Sequence, residues 1–396
     1  MRLQFLSRTP DKTPSKLLDE LSQDVAIDTA RFHASMPGYK ATPIISLDNL
    51  ARALGLKNIW IKDESCRFNL GAFKVLGASF AIARQLAIRI GIEGTELPPF
   101  EELAKKAGKA KLRFVTASDG NHGYAVAWTC RLFGLEATVI LPKGNAEQRA
   151  ARIRSLGAHV EIADGNYDEA VAAAEKRSRL EGSVLVQDTA WDGYEEIPLD
   201  IMRGYCTIER EISHEIVLDL VHQIQHKTAS SALMAPTHVF LQAGVGSFAS
   251  AMAACQSSSF PEASFFVVEP CKTDCLFQTA KADDGKLHSI EHPEESCMTS
   301  LCCGTPSSQA WEILRRTACG FVSCDDVLAE EGQKILQHPL GSDPKVTAGL
   351  SGAVTTGVLH AICHDEDLRD IRDKIGLDAS SRVLLINTEG DVDSLA

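Results

Sequence analysis

Apolar positions along this chain recur in two periods. Short runs such as Ile59-Trp60-Ile61 and residues 137–141 are continuous and rich in β-branched side chains, the pattern of strands covered on both faces. Longer stretches place apolar residues three and four apart, and several stop at a glycine, as 50–54 does at Gly55, 122–133 at Gly134 and 145–156 at Gly157. From Phe73 onward the two patterns alternate. Helices are expected over 75–91, 122–133, 145–156 and 167–180, and strands over 112–117, 137–141, 159–162 and 183–186. After one or two long helices in 197–225, the rhythm resumes. Strands are expected at 237–242, 264–269, 321–324 and 383–387, with helices at 248–256, 307–317, 325–336, 349–363 and 367–375.

This alternation predicts an α/β fold of two doubly wound, open, parallel-sheet lobes, with the break near residues 188–198. Four stretches fall outside the rhythm. Residues 1–40 read as a polar arm with helical pieces at 15–21 and 24–33. Residues 62–65, Lys-Asp-Glu-Ser, read as a polar turn. Residues 92–111 read as a surface insertion with one short helix, and 270–310 as irregular chain.

Composition narrows the function. The 396 residues are 44% hydrophobic and carry a net charge of -13, which argues against nucleic acid or an anionic membrane as partner. No apolar run approaches the roughly 20 residues of a membrane span. Residues 1–14 lack a secretory apolar segment, so a cytoplasmic location is expected. The 12 cysteines include Cys271-x-x-x-Cys275 and Cys302-Cys303, neither of which has zinc-site spacing, so no metal is expected. Buried free thiols are the expectation, with a disulfide between the 271/275 and 297/302 neighbourhoods as the alternative.

Candidate chemistry begins at Gly71-Ala72-Phe73-Lys74-Val75-Leu76-Gly77-Ala78, where one lysine stands among small and apolar residues. Burial disfavours an ammonium, and a neutral amine is a nucleophile that forms a Schiff base with a carbonyl. Three expected strand-to-helix junctions carry polar or small residues, where open α/β sheets place ligands. The first is Ser118-Asp119-Gly120-Asn121-His122-Gly123, whose backbone N–H groups suit a carboxylate. The second is Gln242-Ala243-Gly244-Val245-Gly246-Ser247-Phe248, whose glycines and serine form a phosphate cradle that is neither a Walker A loop nor a complete dinucleotide fingerprint. The third is Thr388-Glu389-Gly390-Asp391. Each has a plainer reading: a lysine stem on an apolar face, an N-cap turn, a nucleotide loop and a solvated terminal turn.

Together, and in this order, these pieces resemble the fold-type II, tryptophan-synthase-β-like pyridoxal-phosphate enzymes, from about residue 40 to residue 390. The resemblance implies pyridoxal 5'-phosphate in the cleft between the lobes, carried by Lys74. Asn121 would contact its ring hydroxyl, the loop Gly244, Val245, Gly246, Ser247 and Phe248 its phosphate, and Thr388 its pyridine nitrogen. It also implies a large cofactor-anchoring domain of residues 1–76 and 191–396, a small domain of 77–190, and a homodimer.

Asp119, and Val186-Gln187-Asp188-Thr189-Ala190-Trp191, make the closer resemblance one to the diaminopropionate ammonia-lyase family. That resemblance implies a small amino-acid substrate, with Lys74 and Asp119 as bases for the L and D enantiomers. Asp188 would bind the cationic β-amine, Ser118 would join Asp119 and Asp188 in holding substrate, and the close carboxylates would raise one pKa. His122 is expected to pack at its helix start. The rivals are a serine or threonine dehydratase on the same fold, a catalytically weak cofactor-binding homologue and a nucleotide-binding α/β protein. One departure is Ala348-Gly349-Leu350-Ser351-Gly352-Ala353, with Leu350 where many fold-type II enzymes have the glutamate of Glu-Ser-Gly-Ala.

Overall fold

The structure is a computed structural model that describes residues 3–92, 94, 96–118, 120–143, 146–165, 167–226 and 234–391. In chain order the first part contains β1 (Leu3–Ser7), α1 (Lys16–Asp19), α2 (Gln23–Ala34), β2 (Ile44–Ser46), α3 (Asp48–Ala53), β3 (Asn58–Asp63), α4 (Lys74–Arg89) and α5 (Phe100–Ala110). Next come β4 (Arg113–Ala117), α6 (Asn121–Phe133), β5 (Glu136–Leu141), α7 (Ala146–Arg154), β6 (His159–Ile162), α8 (Tyr167–Ser178) and β7 (Ser183–Leu185). The 31-residue α9 (Glu196–His226) follows, then β8 (His238–Gln242), α10 (Ser247–Ser259), β9 (Ser264–Pro270), α11 (Cys275–Ala282), α12 (Ser308–Thr317) and β10 (Ala318–Cys324). The chain closes with α13 (Asp326–Gln337), α14 (Leu350–His364), α15 (Arg369–Ile375) and β11 (Arg382–Asn387).

The strands form two sheets, in the orders β1-β10-β9-β8-β11-β3-β2 and β6-β5-β4-β7. The four-stranded sheet is parallel throughout, as its buried apolar runs predict. The seven-stranded sheet is parallel in its centre, but both edges are antiparallel. Neither edge strand was expected: β1 falls in the stretch read as a polar arm with helical pieces, and the three-residue β2 is too short to carry a pattern. Among the described residues, no helix is long and apolar enough to cross a membrane.

Three more expectations change. Residues 100–110 form a helix whose Phe100, Leu103, Ala107 and Ala110 are buried, so the segment packs on the core instead of standing on the surface. The stretch read as irregular contains α11, whose first turn donates the Leu276 and Phe277 N–H groups to the buried Glu269 carboxylate at 2.8 and 2.7 Å. Cys206 and Cys255 form a disulfide between α9 and α10 with Cα atoms 6.2 Å apart, where free thiols were expected. Apolar spacing shows that both cysteines are buried, but not that two helices far apart in sequence face each other there.

Residues 62–65 are not a solvated turn. Lys62 and Asp63 belong to β3, and Lys62, Glu64 and Arg67 are fully buried. Lys62 Nζ donates to Glu211 of α9 at 2.7 Å and Arg67 donates to both Glu64 and Glu211. Tyr39 and Thr42 complete the network.

Helices α4 and α9 cross at two glycines. A Cβ on Gly77 would lie 2.6 Å from both Ile201 and Tyr205, and one on Gly204 would lie 2.4 Å from the Leu76 carbonyl oxygen. This close crossing fixes the helix that begins at Lys74. Gly77→Ala is therefore expected to cost about 2–3 kcal/mol of stability by overpacking, read as a lower denaturant midpoint at unchanged slope.

Candidate functional site

The carboxyl ends of the central strands of both sheets open on one cavity of about 770 Å³. Lys74, Ser118, Asn121, Asp188, the whole loop Gly244–Phe248 and Thr388 line it. Residues spread over most of the chain thus meet at one place. Asp119 lies outside the described residues.

Lys74 is the first residue of α4, and the segment before it is pinned to the turn after β11. The Phe73 N–H donates to the Thr388 carbonyl at 3.1 Å, and the Gly390 N–H donates to the Gly71 carbonyl at 2.9 Å. The amine points at Asp188, just beyond β7, with Nζ donating to Oδ2 at 2.5 Å. The expectation of a neutral amine is corrected here. Burial alone would lower the lysine pKa, but the Asp188 carboxylate outweighs it, with Tyr205 and Cys303 acting in the same direction, and the pKa is raised. Burial likewise pushes the Asp188 carboxyl up, and the charge and hydrogen bond of Lys74 more than reverse this, so it is held below its ordinary range. Asp188 is therefore the ionised partner of a cation, not the carboxyl whose pKa a second acid raises.

His122 is buried near the start of α6. Its Nε2–H donates to the Val186 carbonyl at 2.8 Å, and burial lowers its pKa, so the ring is neutral. Its Nδ1 lies 4.0 Å from Asp188. Ser118 accepts the Gly120 and Gly123 N–H groups at 3.0 and 2.8 Å, which shapes the turn at the α6 N-terminus.

In the glycine loop, Gly246 has φ +97, and a Cβ there would lie 3.0 Å from Ala310 and Leu276. A Cβ on Gly244 would lie 3.2 Å from the Cys303 sulfur and the Leu301 carbonyl oxygen. Larger residues would collapse the loop onto its walls. The first N–H groups of α10 have no helical carbonyl to meet, so a phosphate suits this position. The Ser247 hydroxyl is committed elsewhere: it donates to the Asp188 carbonyl at 2.6 Å and ties the two loops together. The cradle therefore rests on backbone groups.

Across the cavity, Gln242 Nε2 donates to Thr388 Oγ1 at 3.0 Å, leaving the threonine's own proton to donate to a ring nitrogen. An amine, an amide, an anion cradle and a hydroxyl around a cavity of this size fit pyridoxal phosphate together with an amino acid. Sequence reasoning assigned no role to Gln242, Ser300, Cys303 or Glu389, all of which line the cavity. Gln242 and Glu389 stand inside the quoted motifs and could have been weighed. Ser300 and Cys303 lie in the irregular stretch, where no periodicity points to them.

The chain matches the pyridoxal-phosphate dependent enzyme family over residues 36–388. It is 40% identical over 397 residues to a diaminopropionate ammonia-lyase of Salmonella typhimurium, covering 99% of this chain and 95% of that one. It is 38% identical over 374 residues to the Escherichia coli K12 diaminopropionate ammonia-lyase, covering 94% and 90%. The crystal structure of the Escherichia coli enzyme in complex with D-serine superposes with a TM-score of 0.86 at 35% identity, covering 100% of this chain and 95% of that one. That of its complex with an aminoacrylate-PLP azomethine reaction intermediate gives 0.83, with the same identity and coverage.

Proposed function

This chain belongs to the pyridoxal-phosphate dependent enzymes and, within them, to the diaminopropionate ammonia-lyase family, and we propose on that premise that it converts either enantiomer of 2,3-diaminopropionate, with water, to pyruvate and two ammonia. The observation that carries this reading over a serine or threonine dehydratase is the Asp188 carboxylate. It already holds an alkylammonium, that of Lys74, at 2.5 Å. A hydroxyamino acid offers no second cation to such a group, whereas diaminopropionate carries one on Cβ.

Lys74 would hold the cofactor, with Asn121 at its ring hydroxyl, the loop from Gly244 to Phe248 at its phosphate and Thr388 at its pyridine nitrogen. When bound, pyridoxal phosphate supplies the electron sink that acidifies the Cα–H bond. Engagement of Lys74 removes its ammonium from Asp188, and the β-ammonium of the substrate takes its place. The substrate's β-ammonium thus restores a cation to a carboxylate that would be costly to leave buried and unpaired. Lys74 Nζ takes the Cα proton of the L enantiomer and Asp119 that of the D enantiomer. Ser118 shapes the turn against which the substrate carboxylate rests. The β-nitrogen leaves with its bonding pair as ammonia, and the released three-carbon enamine takes up water to give pyruvate and the second ammonia.

Ammonia and pyruvate release from D- and L-diaminopropionate, measured beside D- and L-serine, tests this reading. Two ammonia per pyruvate and a clear preference for diaminopropionate are expected. Faster pyruvate formation from serine would move the assignment to a dehydratase. Asp119→Asn is expected to slow the D reaction on the order of 100-fold and the L reaction far less, and equal losses would refute the two-base scheme. The protein is further proposed to be a cytoplasmic homodimer, two-fold assemblies being the commonest. Residues 77–190 are proposed as its small domain, which agrees with the segment that contains β4 to β7, and residues 1–76 with 191–396 as the large one.

A further inference from the structure

The imidazole of His122 stands beside Asp188 with one nitrogen to spare. His122 is 5% exposed and lines the cavity. The Val186 carbonyl can only accept, so the Nε2 that meets it at 2.8 Å must carry the proton. In the neutral ring Nδ1 is then a bare acceptor. It has no hydrogen-bond partner among the described residues, and it lies 4.0 Å from Asp188 Oδ2. The Lys74 ammonium donates to that carboxylate at 2.5 Å and not to the ring. Backbone connections set the spacing of the two acceptors. Val186, which anchors the ring, stands two residues before Asp188, and the Asp188 carbonyl is held in turn by the Ser247 hydroxyl at 2.6 Å.

We propose that His122 Nδ1 is the second acceptor for the β-ammonium of the substrate, so that His122 and Asp188 together select an amino acid with a cation on Cβ. The proposal rests on the reading of Asp188 as the partner of that ammonium. A buried acceptor without a donor is costly, and a donor shared with Asp188 removes the cost. A tetrahedral ammonium that donates to both groups at about 2.8 Å would hold them roughly 4.6 Å apart, and slightly bent bonds shorten this toward the spacing found. A primary ammonium has the two N–H bonds this requires and one more. A β-hydroxyl has a single O–H, and the carboxylate, as the charged acceptor, takes it. Nδ1 therefore rewards diaminopropionate and gives nothing to a hydroxyamino acid. Burial keeps the ring neutral, which is the state in which Nδ1 accepts.

The test compares the loaded wild type with His122→Gln. A glutamine amide reaches as far as Nε2 and can still donate to the Val186 carbonyl, but it places no acceptor at the Nδ1 position. In His122→Gln the KM for diaminopropionate is expected to rise about 10-fold, with kcat changed less than about threefold. The Ki of L-alanine, a competitor with no β-nitrogen, is expected to stay within about twofold. An unchanged KM overturns the proposal. So does an alanine Ki that rises in parallel with it, which marks a ring that only holds the turn in shape. Should His122→Gln fail to fold, Lys74→Ala decides the matter, because its Asp188 is open to an added cation. Methylammonium, dimethylammonium and trimethylammonium carry three, two and one N–H, and their binding is read as protection against thermal unfolding. A loss of about 10-fold confined to the trimethyl cation supports the second acceptor, and equal losses at each added methyl overturn it. A wild type without activity on diaminopropionate would instead remove the substrate reading itself, and the proposal with it.

Discussion

Lys74→Ala is expected to yield a protein that shows no visible cofactor band and has lost elimination from both enantiomers, by on the order of 1,000-fold or more. Two losses combine. The nucleophile that anchors the cofactor is gone, and so is the base for the L reaction. The variant also leaves Asp188 with no cation at 2.5 Å, in a position where only 9% of its side chain is exposed. Its carboxyl pKa should therefore rise from its present lowered value, since the Lys74 charge is the foremost of the effects that hold it down. A small alkylammonium added to the variant should bind in the lysine's place, which gives a further check by amine-dependent protection against thermal unfolding. Undiminished turnover with a persistent visible band would sink the assignment of Lys74.

Glu211→Ala is expected to be the most destabilising single change among the buried ionic residues, at about 3–5 kcal/mol. The substitution strands Lys62 and Arg67, both fully buried, with only Glu64 between them. It also removes the acceptor of the Tyr39 hydroxyl. Denaturant unfolding reads the loss, and a change below about 1 kcal/mol would refute the network's structural role. The same residue sets an acid limit. Burial alone would raise the Glu211 carboxyl, but hydrogen bonds and charges from Arg67 and Lys62 outweigh it, so its pKa is lowered on folding. A group depressed in this way contributes its stability above the unfolded value of about 4.3 and loses it as the pH falls through the folded value. Wild-type stability should therefore fall steeply below pH ~4. That part of the slope should be missing in Glu211→Ala.

These two residues show what a linear reading can and cannot reach. Lys74 was legible because an isolated lysine among small residues is unusual chemistry, and the turns at Asn121, Gly244 and Thr388 gave it company. Its charge was not legible, because the composition around it predicts a neutral amine and the carboxylate that reverses this lies at Asp188. The ionic residues of 62–65 do not form the solvated turn that their local pattern predicts. Lysine, aspartate and glutamate after a strand look like a solvated turn unless Glu211 is known to stand opposite them. The antiparallel edge β1 failed for the same reason: its partner β10 lies at the other end of the chain.

Periodicity, glycine stops and motif order therefore determined the α/β class, the parallel lobes and the strand-end turns that line the cavity. They could do so because a buried parallel strand must be apolar along its whole length, and a ligand-binding turn must be small or polar whatever surrounds it. Tertiary structure alone decided which charges are paired, which thiols meet, and how α4 and α9 cross at Gly77 and Gly204. Each of these depends on a distance between segments far apart in the sequence. Electrostatic and packing energies are functions of that distance, and no local pattern encodes it.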